Sequence, residues 1–400
     1  MDFKTLPPGP LTLKNVHIPA CLLGEDGDLL CRDLHIDGGM LTDTPGTPIE
    51  MAGAMVFPAF VDMHTHLDKG QIWPRAANPD GTFEGALTTV RADSARNWHA
   101  EDVRQRMTFS LRAAYAHGTR AIRTHLDSIP PQDEISWPVF REVRAEWADR
   151  IALQAVCLVG CEGMEAEGRF RRTAEIVAES HGILGMVLYP VPDLKGRIVA
   201  FLNLAETLNL AVDFHVDETM DPSSETLRML AETVLERRFA APVTVGHCCA
   251  LSTQAEDRAL ATLDLVALAG IHVVSLPMCN LYLQDRGTGT PRRRGITLVH
   301  EMAARGIPVS FASDNTRDPF YAYGDMDMLE VMREATRIGH LDHAGDHWPH
   351  AFLTHPAAAC GFAAPNLAPG APADLVICRA RRWTELFARP QADRIVVRAG

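Results

Sequence analysis

Long apolar runs are absent from this sequence. None reaches the roughly 18 to 20 residues that a bilayer crossing requires. The first residues, Met1 to Pro8, also lack the basic and apolar regions of a signal peptide. We therefore expect a cytoplasmic protein with no membrane partner.

An excess of basic charge is absent too. The formal net charge is -13 at pH 7, and dense basic sequence is limited to Arg292-Arg293-Arg294. Nucleic acids and anionic membranes bind to broad basic surfaces. The charge balance therefore predicts that nucleic acid is not a partner.

Regularly spaced cysteine pairs are the third absence. The nine cysteines are an odd number, and the sequence contains no Cys-x-x-Cys pair. This pattern indicates reduced thiols rather than a disulfide framework. Cys157 and Cys161 are four residues apart, but Gly160 interrupts the segment between them, which disfavours a structural zinc site.

What the sequence does contain is a series of eight short apolar runs, each of which closes on polar residues and precedes a helix-like segment. After the first, successive runs begin about 30 residues apart, which is the length of a strand with a crossover helix and its loops. Eight such units predict an α/β fold, a (β/α)8 TIM barrel. The runs cover residues 56–66, 119–127, 151–160, 183–192, 210–218, 242–248, 272–280 and 307–315.

Both chain ends have a different character. Short β-like segments separated by turn signals fill residues 1–55, and similar segments recur in residues 365–400. Neither end alone would bury much surface. We therefore expect both ends to form one small β-sandwich beside a catalytic barrel domain of residues 56–364.

The first run ends in His64-Thr65-His66. Residues i and i+2 of a strand project to the same face, so both imidazoles are placed side by side, where a divalent metal could bind. Chance alone would give about 0.7 such triplets in a chain with 17 histidines, so the alternative is a histidine pair without a metal. Other runs carry or end on further polar groups, which favours the metal interpretation because barrel active sites gather at the strands' carboxyl ends. These groups are Gln154, His215-Val216-Asp217-Glu218, Gly246-His247 and Ser313-Asp314-Asn315.

Together with these groups, five longer strings resemble the metal-dependent amidohydrolase superfamily, and within it the bacterial cytosine deaminases. The resemblance covers about residues 10–380. The strings are Arg123-Thr124-His125-Leu126-Asp127, Leu153-Gln154-Ala155-Val156, residues 213–218, residues 293–297 and residues 314–319.

The resemblance implies one divalent metal ion, zinc or iron, and a homo-oligomeric assembly. It implies that His64, His66, His215 and Asp314 hold the metal, that Glu218 shuttles protons, that His247 orients the water and that Gln154 binds the substrate's amide edge. Asp217 is an alternative acid, and spacing alone does not choose between it and Glu218.

Binuclear relatives place a carboxylated lysine at the end of the fourth strand. This chain offers only Lys4, Lys14, Lys69 and Lys195, and Lys195 lies too far along to be a ligand, which favours one metal.

The remaining histidines are expected to have structural roles rather than to bind a metal. Gly345 and Pro349 interrupt any helix that would align the histidines at 340, 343, 347, 350 and 355, so we expect loop and capping roles for them. His125 and Asp127 are expected to support the pocket wall.

The substrate implied by the resemblance is an amino-substituted nitrogen heterocycle, which a water molecule would deaminate. Asn315 and Phe320 stand where cytosine deaminases usually have an acid and a tryptophan. We expect both residues to contact the substrate, and the ring edge that they bind would then differ from that of cytosine. We rank cytosine first, then isoguanine, a pterin and an aminotriazine. Alternatives are hydrolysis of an N-substituted triazine or a cyclic amide, and a non-catalytic binding protein on the same fold.

Overall fold

The computed structural model describes residues 6–165 and 168–398. Its strands are β1 Leu11–Pro19, β2 Leu29–Asp37, β3 Met40–Thr42, β4 Thr47–Glu50, β5 Met55–Pro58, β6 Phe60–Thr65, β7 Thr119–Asp127, β8 Ala152–Leu158, β9 Leu184–Leu188, β10 Val212–Val216, β11 Val243–His247, β12 His272–Ser275, β13 Val309–Phe311, β14 Leu375–Cys378 and β15 Ile395–Val397. Its helices are α1 Phe83–Asn97, α2 Ala100–His117, α3 Asp133–Trp147, α4 Arg169–Glu179, α5 Leu194–Leu208, α6 Thr226–Arg237, α7 Glu256–Leu268, α8 Pro277–Leu283, α9 Val299–Ala303, α10 Met328–Gly339, α11 Thr354–Cys360 and α12 Trp383–Ala388.

Eight parallel strands form the α/β body of the molecule. They make a three-stranded sheet, β6-β7-β8, and a five-stranded sheet, β9-β10-β11-β12-β13, with helices between successive strands. Isolated parallel bridges join the two sheets at both margins, Val156 with Ile183 and Gly160 with Val187 on one side, and Thr65 with Asp314 on the other. The carboxyl ends of all eight strands therefore lie at one end of the body.

Strands and helices alike follow from the burial of apolar side chains. The strand β10, Val212–Val216, is buried at all five positions, as expected for a parallel strand covered on both faces. In α4, buried Phe170, Ala174 and Val177 recur at three- and four-residue spacing and give the helix one apolar face. Within the described residues, no helix is both long enough and apolar enough to cross a bilayer.

The first predicted run, residues 56–66, is two strands rather than one. The strand is interrupted at Ala59, whose N–H donates to the carbonyl of Asp374 at 2.8 Å. The segment before the break, β5, pairs with β14 and β1, so it belongs to the sheet built by the chain ends and not to the eight-stranded body. Pro58 was the signal for this break, since proline disfavours a continuous central strand.

The two chain ends pair with each other in one hydrogen-bonded sheet. Its strand order is β15-β14-β5-β1-β2-β3, and β4 pairs with β1. Buried residues from both ends, among them Leu13, Ile18, Leu375 and Ile377, form a small core of their own. The sheet is therefore held by contacts between the first and last segments of the chain.

A glycine at the join between this sheet and the body yields a stability prediction. Gly118 ends α2 with φ +101°, and a Cβ there would lie 2.3 Å from Val376 Cγ2 of β14. Gly361 also ends a helix with positive φ, but a Cβ there would meet nothing within 4 Å. Each alanine substitution should cost about 1–2 kcal/mol for the left-handed backbone, and Gly118→Ala should cost a further ~1–3 kcal/mol from the clash.

Thermal denaturation of the two variants, each under the same metal loading, measures this difference. Gly118→Ala should melt well below Gly361→Ala. Equal melting temperatures would show that the contact between Gly118 and β14 is not as tight as described.

Candidate functional site

Four side chains bring their ligand atoms to one point at the carboxyl ends of the strands. Nε2 of His64 lies 3.2 Å from Nε2 of His215, and Oδ1 of Asp314 lies 3.2 Å from Nε2 of His66 and 3.5 Å from Nε2 of His64. All four residues are at most 5% exposed. Ligands about 2.0 Å from a shared ion in a tetrahedron lie about 3.3 Å apart, a spacing that these distances match.

Several buried polar atoms of this cluster lack hydrogen-bond partners. Both carboxylate oxygens of Asp314 are unpartnered, as are the Nδ1 atoms of His64, His66 and His215. Buried polar groups are costly unless they are paired or coordinate a metal. The donor set, three imidazoles and one carboxylate, therefore fits a divalent cation.

The protonation state of the histidines also suits the binding of a metal ion. Burial and the neighbouring imidazoles lower the pKa of His64 and His215 well below the ordinary value, and burial together with the Lys69 charge does so for His66. A lowered pKa keeps imidazole neutral at pH 7. Neutral imidazole is the form that binds metals.

His125 is a fourth histidine at the cluster. Its ring centroid is 3.9 Å from that of His64, and it can form a metal-binding group with His64 and His66 by distance. However, its Nε2 lies 3.3 Å from Oδ1 of Asp213. The ring thus packs on a predicted ligand while one nitrogen contacts an acid beneath it, as a supporting residue would.

His247, the last residue of β11, presents a buried Nε2 that has no partner. Its other nitrogen, Nδ1, lies 3.0 Å from the amide nitrogen of Asn280 and 3.4 Å from Oε1 of Glu218. Burial lowers the pKa of His247 to about 4. Asn280 was missed by the sequence analysis because residues 272–280 were interpreted as one strand, whereas Pro277 begins a helix that carries Asn280.

The two acids after β10, between which spacing does not choose, have separate surroundings. Asp217 accepts bonds from the hydroxyl groups of Ser224 and Thr226 at 2.7 Å, and from the N–H groups of Thr226 and Leu227 at 2.9 and 3.0 Å. It therefore anchors the start of α6. Glu218 reaches His247 instead, and burial raises its pKa well above the ordinary value.

Unusual backbone conformations cluster where these strands end. Asp217, His247, Cys248 and Asp314 have φ values of 48°, 70°, 52° and 62°. Positive φ is uncommon for residues with a side chain, and it concentrates at functional sites because the surrounding structure must enforce it. The turns redirect each side chain toward the cluster or away from it.

The structure does not bring Gln154 close to the cluster of His64, His66, His215 and Asp314. It lies near the amino end of β8, where its Oε1 accepts from Nε of Arg123 at 2.8 Å. It lines a different cavity of about 810 Å³ together with Gly182, Pro242 and Pro308, which precede later strands. The predicted contact between Gln154 and the substrate is therefore corrected: the residue faces the opposite end of the strands.

The loop after β13 holds the two remaining predicted substrate contacts. The amide of Asn315 donates to Oδ2 of Asp318 at 2.7 Å, and Oδ1 of Asp318 accepts from the N–H of Phe320 at 2.8 Å. The Phe320 ring lies 5.1 Å from the Nζ of Lys69. The sequence analysis did not predict Lys69 as a site residue. Its position directly after His64-Thr65-His66-Leu67-Asp68 indicates that it lies near the predicted metal ligands.

Other candidates from the sequence lie elsewhere. Lys195 is on α5 rather than in a loop, and its Nζ pairs with Glu236 at 2.8 Å. The metal-binding groups found in residues 6–165 and 168–398 draw only on His64, His66, His125, His215 and His247, and so leave out the 340–355 histidines. His343 is exposed, and His340 ends α10. All nine cysteines are free thiols.

The chain matches the model of the amidohydrolase family over residues 49–153 and 185–400. It belongs to this family. It is also 52% identical over 403 residues to the pterin deaminase of Rhizobium rhizogenes, an alignment that covers 97% of this chain and 92% of that protein. The resemblance drawn from the sequence is thus confirmed, and the chain is an aminohydrolase.

Two solved structures are similar along almost the whole chain. The 5-methylcytosine deaminase of Klebsiella pneumoniae has a TM-score of 0.82 and 26% identity, covering 98% of this chain and 96% of that one. The N-isopropylammelide isopropylaminohydrolase of Burkholderia multivorans has a TM-score of 0.76 and 25% identity, with coverages of 98% and 97%. These neighbours give the α/β body a TIM-barrel-like fold.

The geometry of the cluster predicts which histidines hold a metal. His64→Ala should reduce bound metal to well below half the wild-type content, because it removes one of four converging ligand atoms. His125→Ala should keep most of the metal, because that ring is tied to Asp213. Metal analysis by mass spectrometry after dialysis tests both, and metal loss in His125→Ala would make His125 a ligand.

The surroundings of Asp217 predict a role in stability. Asp217→Ala should lower stability by about 1–2 kcal/mol, since it removes the acceptor at the start of α6. Glu218→Gln is the matched control and should melt near the wild type. A reversed order of melting temperatures would contradict the assignment of Asp217 to the helix.

Proposed function

We propose that this enzyme is a hydrolytic deaminase of a nitrogen heterocycle, and that its substrate is a pterin. The observation that carries the proposal is the 52% identity to a pterin deaminase, which extends over nearly the full length of both chains. This identity supports a pterin over cytosine, which the sequence analysis ranked first. Cytosine remains the second candidate, because the 5-methylcytosine deaminase is similar over 98% of the chain.

We infer that His64, His66, His215 and Asp314 hold one zinc or iron(II) ion, since their imidazole nitrogens and carboxylate oxygens are buried, lie close together and are of the types both metals accept. When bound, such an ion would lower the pKa of water enough to supply a nucleophile at neutral pH.

The remaining chemistry falls to residues beside the cluster. Nε2 of His247 is unpartnered and faces the region where the reacting oxygen must lie, so His247 orients that oxygen. Asp314 accepts a proton from the water, and its oxygens have no other partner. Burial favours the protonated form of Glu218, which suits it to donate a proton to the ring nitrogen.

The balance of the reaction is simple hydrolysis. The water oxygen forms a bond to the amino-bearing ring carbon while Glu218 protonates the adjacent ring nitrogen. Asp314 then passes the proton taken from the water to the amino group, the carbon–nitrogen bond breaks, and the remaining hydroxyl proton goes to Glu218, which is thereby protonated again. Ammonia leaves, and a ring carbonyl remains.

The scaffold of this site is, we infer, a closed (β/α)8 barrel. The parallel bridges at both margins of the two sheets support closure, because they link β8 to β9 and the end of β6 to the residues after β13. We also infer that residues 1–55 and 365–400 form a separate small domain, to which β5 must be added. Homo-oligomeric assembly and a cytoplasmic location stay predictions.

Ammonia release across a panel of heterocycles tests the function. Protein loaded with zinc or with iron(II) should release ammonia from pterin faster than from cytosine, isoguanine or an aminotriazine. Faster turnover of cytosine would favour the second candidate. If no member yields ammonia while metal is bound, the deaminase proposal fails.

The role of Glu218 makes a sharper prediction. Glu218→Gln should lower kcat at least about 100-fold, because proton transfer by a positioned side chain contributes 10²–10⁴-fold. Metal content should stay at the wild-type level, since Glu218 is not one of the four converging residues. Unchanged kcat would remove Glu218 from the mechanism.

A further inference from the structure

Lys69 is a buried cation three residues after His66. It lies in a tight turn after β6, where the N–H groups of Lys69 and Gly70 donate to the carbonyl of His66 at 3.2 and 2.9 Å. Its side chain is only 6% exposed. The turn therefore holds the backbone of Lys69 against that of a predicted metal ligand.

The ammonium has few partners for so buried a group. Nζ lies 2.9 Å from Oδ1 of Asp127 and 5.1 Å from the centre of the Phe320 ring. Within the described part of the chain, Asp127 is its one carboxylate contact within 4 Å. An ammonium carries three N–H donors, so donors remain for a ligand.

Lys69 also lies beside the loop after β13, because its Nζ is 5.1 Å from the centre of the Phe320 ring. The neighbouring polar groups are already engaged: the Asn315 amide donates to Asp318, and its oxygen accepts from the Cys279 thiol at 3.7 Å. Lys69 is therefore the donor beside the loop after β13 that could bind a substrate oxygen.

We propose that Lys69 binds the ring carbonyl oxygen of the substrate and so selects amino-heterocycles in which one ring nitrogen separates the amino-bearing carbon from the carbonyl carbon. This proposal rests on the proposed deaminase function. In a pterin the amino group is on C2 and the oxygen on C4, with N3 between them. Attack at C2 pushes electron density toward that N–C–O unit, where a fixed positive charge stabilises it.

A matched substrate pair isolates the oxygen. Pterin and 2-aminopteridine differ by the C4 oxygen alone, so kcat/KM is measured for both on each protein. Sites built to bind a substrate oxygen reject analogues that lack it by large factors, and we expect Lys69→Met to reduce the wild-type ratio by at least about 30-fold. Because both rates come from one preparation, the fraction of active, metal-loaded protein cancels.

Two further variants separate recognition from the ion pair. Asp127→Asn removes the partner of Lys69 but keeps the ammonium, so its ratio should stay within about fivefold of wild type. Lys69→Gln serves if Lys69→Met does not fold. The proposal is overturned if the Lys69 variants slow both substrates equally, or if Asp127→Asn reduces the ratio as strongly as they do.

Failure of the pterin assignment has a distinct signature. If the wild type does not deaminate pterin but does deaminate guanine or cytosine, the ratio is measured with 2-aminopurine or 4-aminopyrimidine as the analogue that lacks the oxygen. Loss of selectivity in the Lys69 variants would then support the role of Lys69 while the pterin assignment fails. If no oxygen-bearing heterocycle is turned over, both proposals fail.

Discussion

The convergence of His64, His66, His215 and Asp314 on one buried point is the constraint on which the rest of the structure depends. These residues lie in or directly after three different strands, and their Nε2 and Oδ1 atoms approach to 3.2–3.5 Å. Such a cluster is unfavourable by itself, because buried polar atoms lose their hydration and neither oxygen of Asp314 has a hydrogen-bond partner. The fold must therefore hold them in place, and we infer that a bound cation would supply the compensating interaction.

A polar layer beneath the cluster provides part of that support. Arg123 donates to Asp213 at 2.8 Å and to Gln154 at 2.8 Å, while Asp213 also contacts His125, whose ring packs against His64. Burial raises the pKa of Asp213, but His125 and Arg123 outweigh it and keep the acid ionised. Gln154 belongs to this layer. Its amide completes the bonding of a buried arginine, which explains why a polar residue lies inside an apolar strand.

The sequence was sufficient for features that strand geometry decides. The i and i+2 spacing of His64 and His66, and the position of His215 at the end of an apolar run, place ligand atoms without further information. Backbone turns decide the rest. At Asp217 the chain adopts φ 48°, so alternation no longer predicts which acid faces the metal. An apolar run also does not reveal at which depth a polar residue lies, which is why Gln154 was assigned to the wrong end.

Selectivity must come from residues that do not touch the metal. In the loop after β13, Asp318 accepts from the N–H groups of Phe320 and Tyr321 at 2.8 and 3.2 Å, and from Asn315 at 2.7 Å. Asn315 is thereby committed to shaping the loop, and the loop in turn sets the Phe320 ring against Lys69. Asn315, where an acid would carry a negative charge, leaves Asp127 as the carboxylate that contacts the Lys69 ammonium at 2.9 Å. We infer that the ammonium donors not used by Asp127 are available to an oxygen of the substrate.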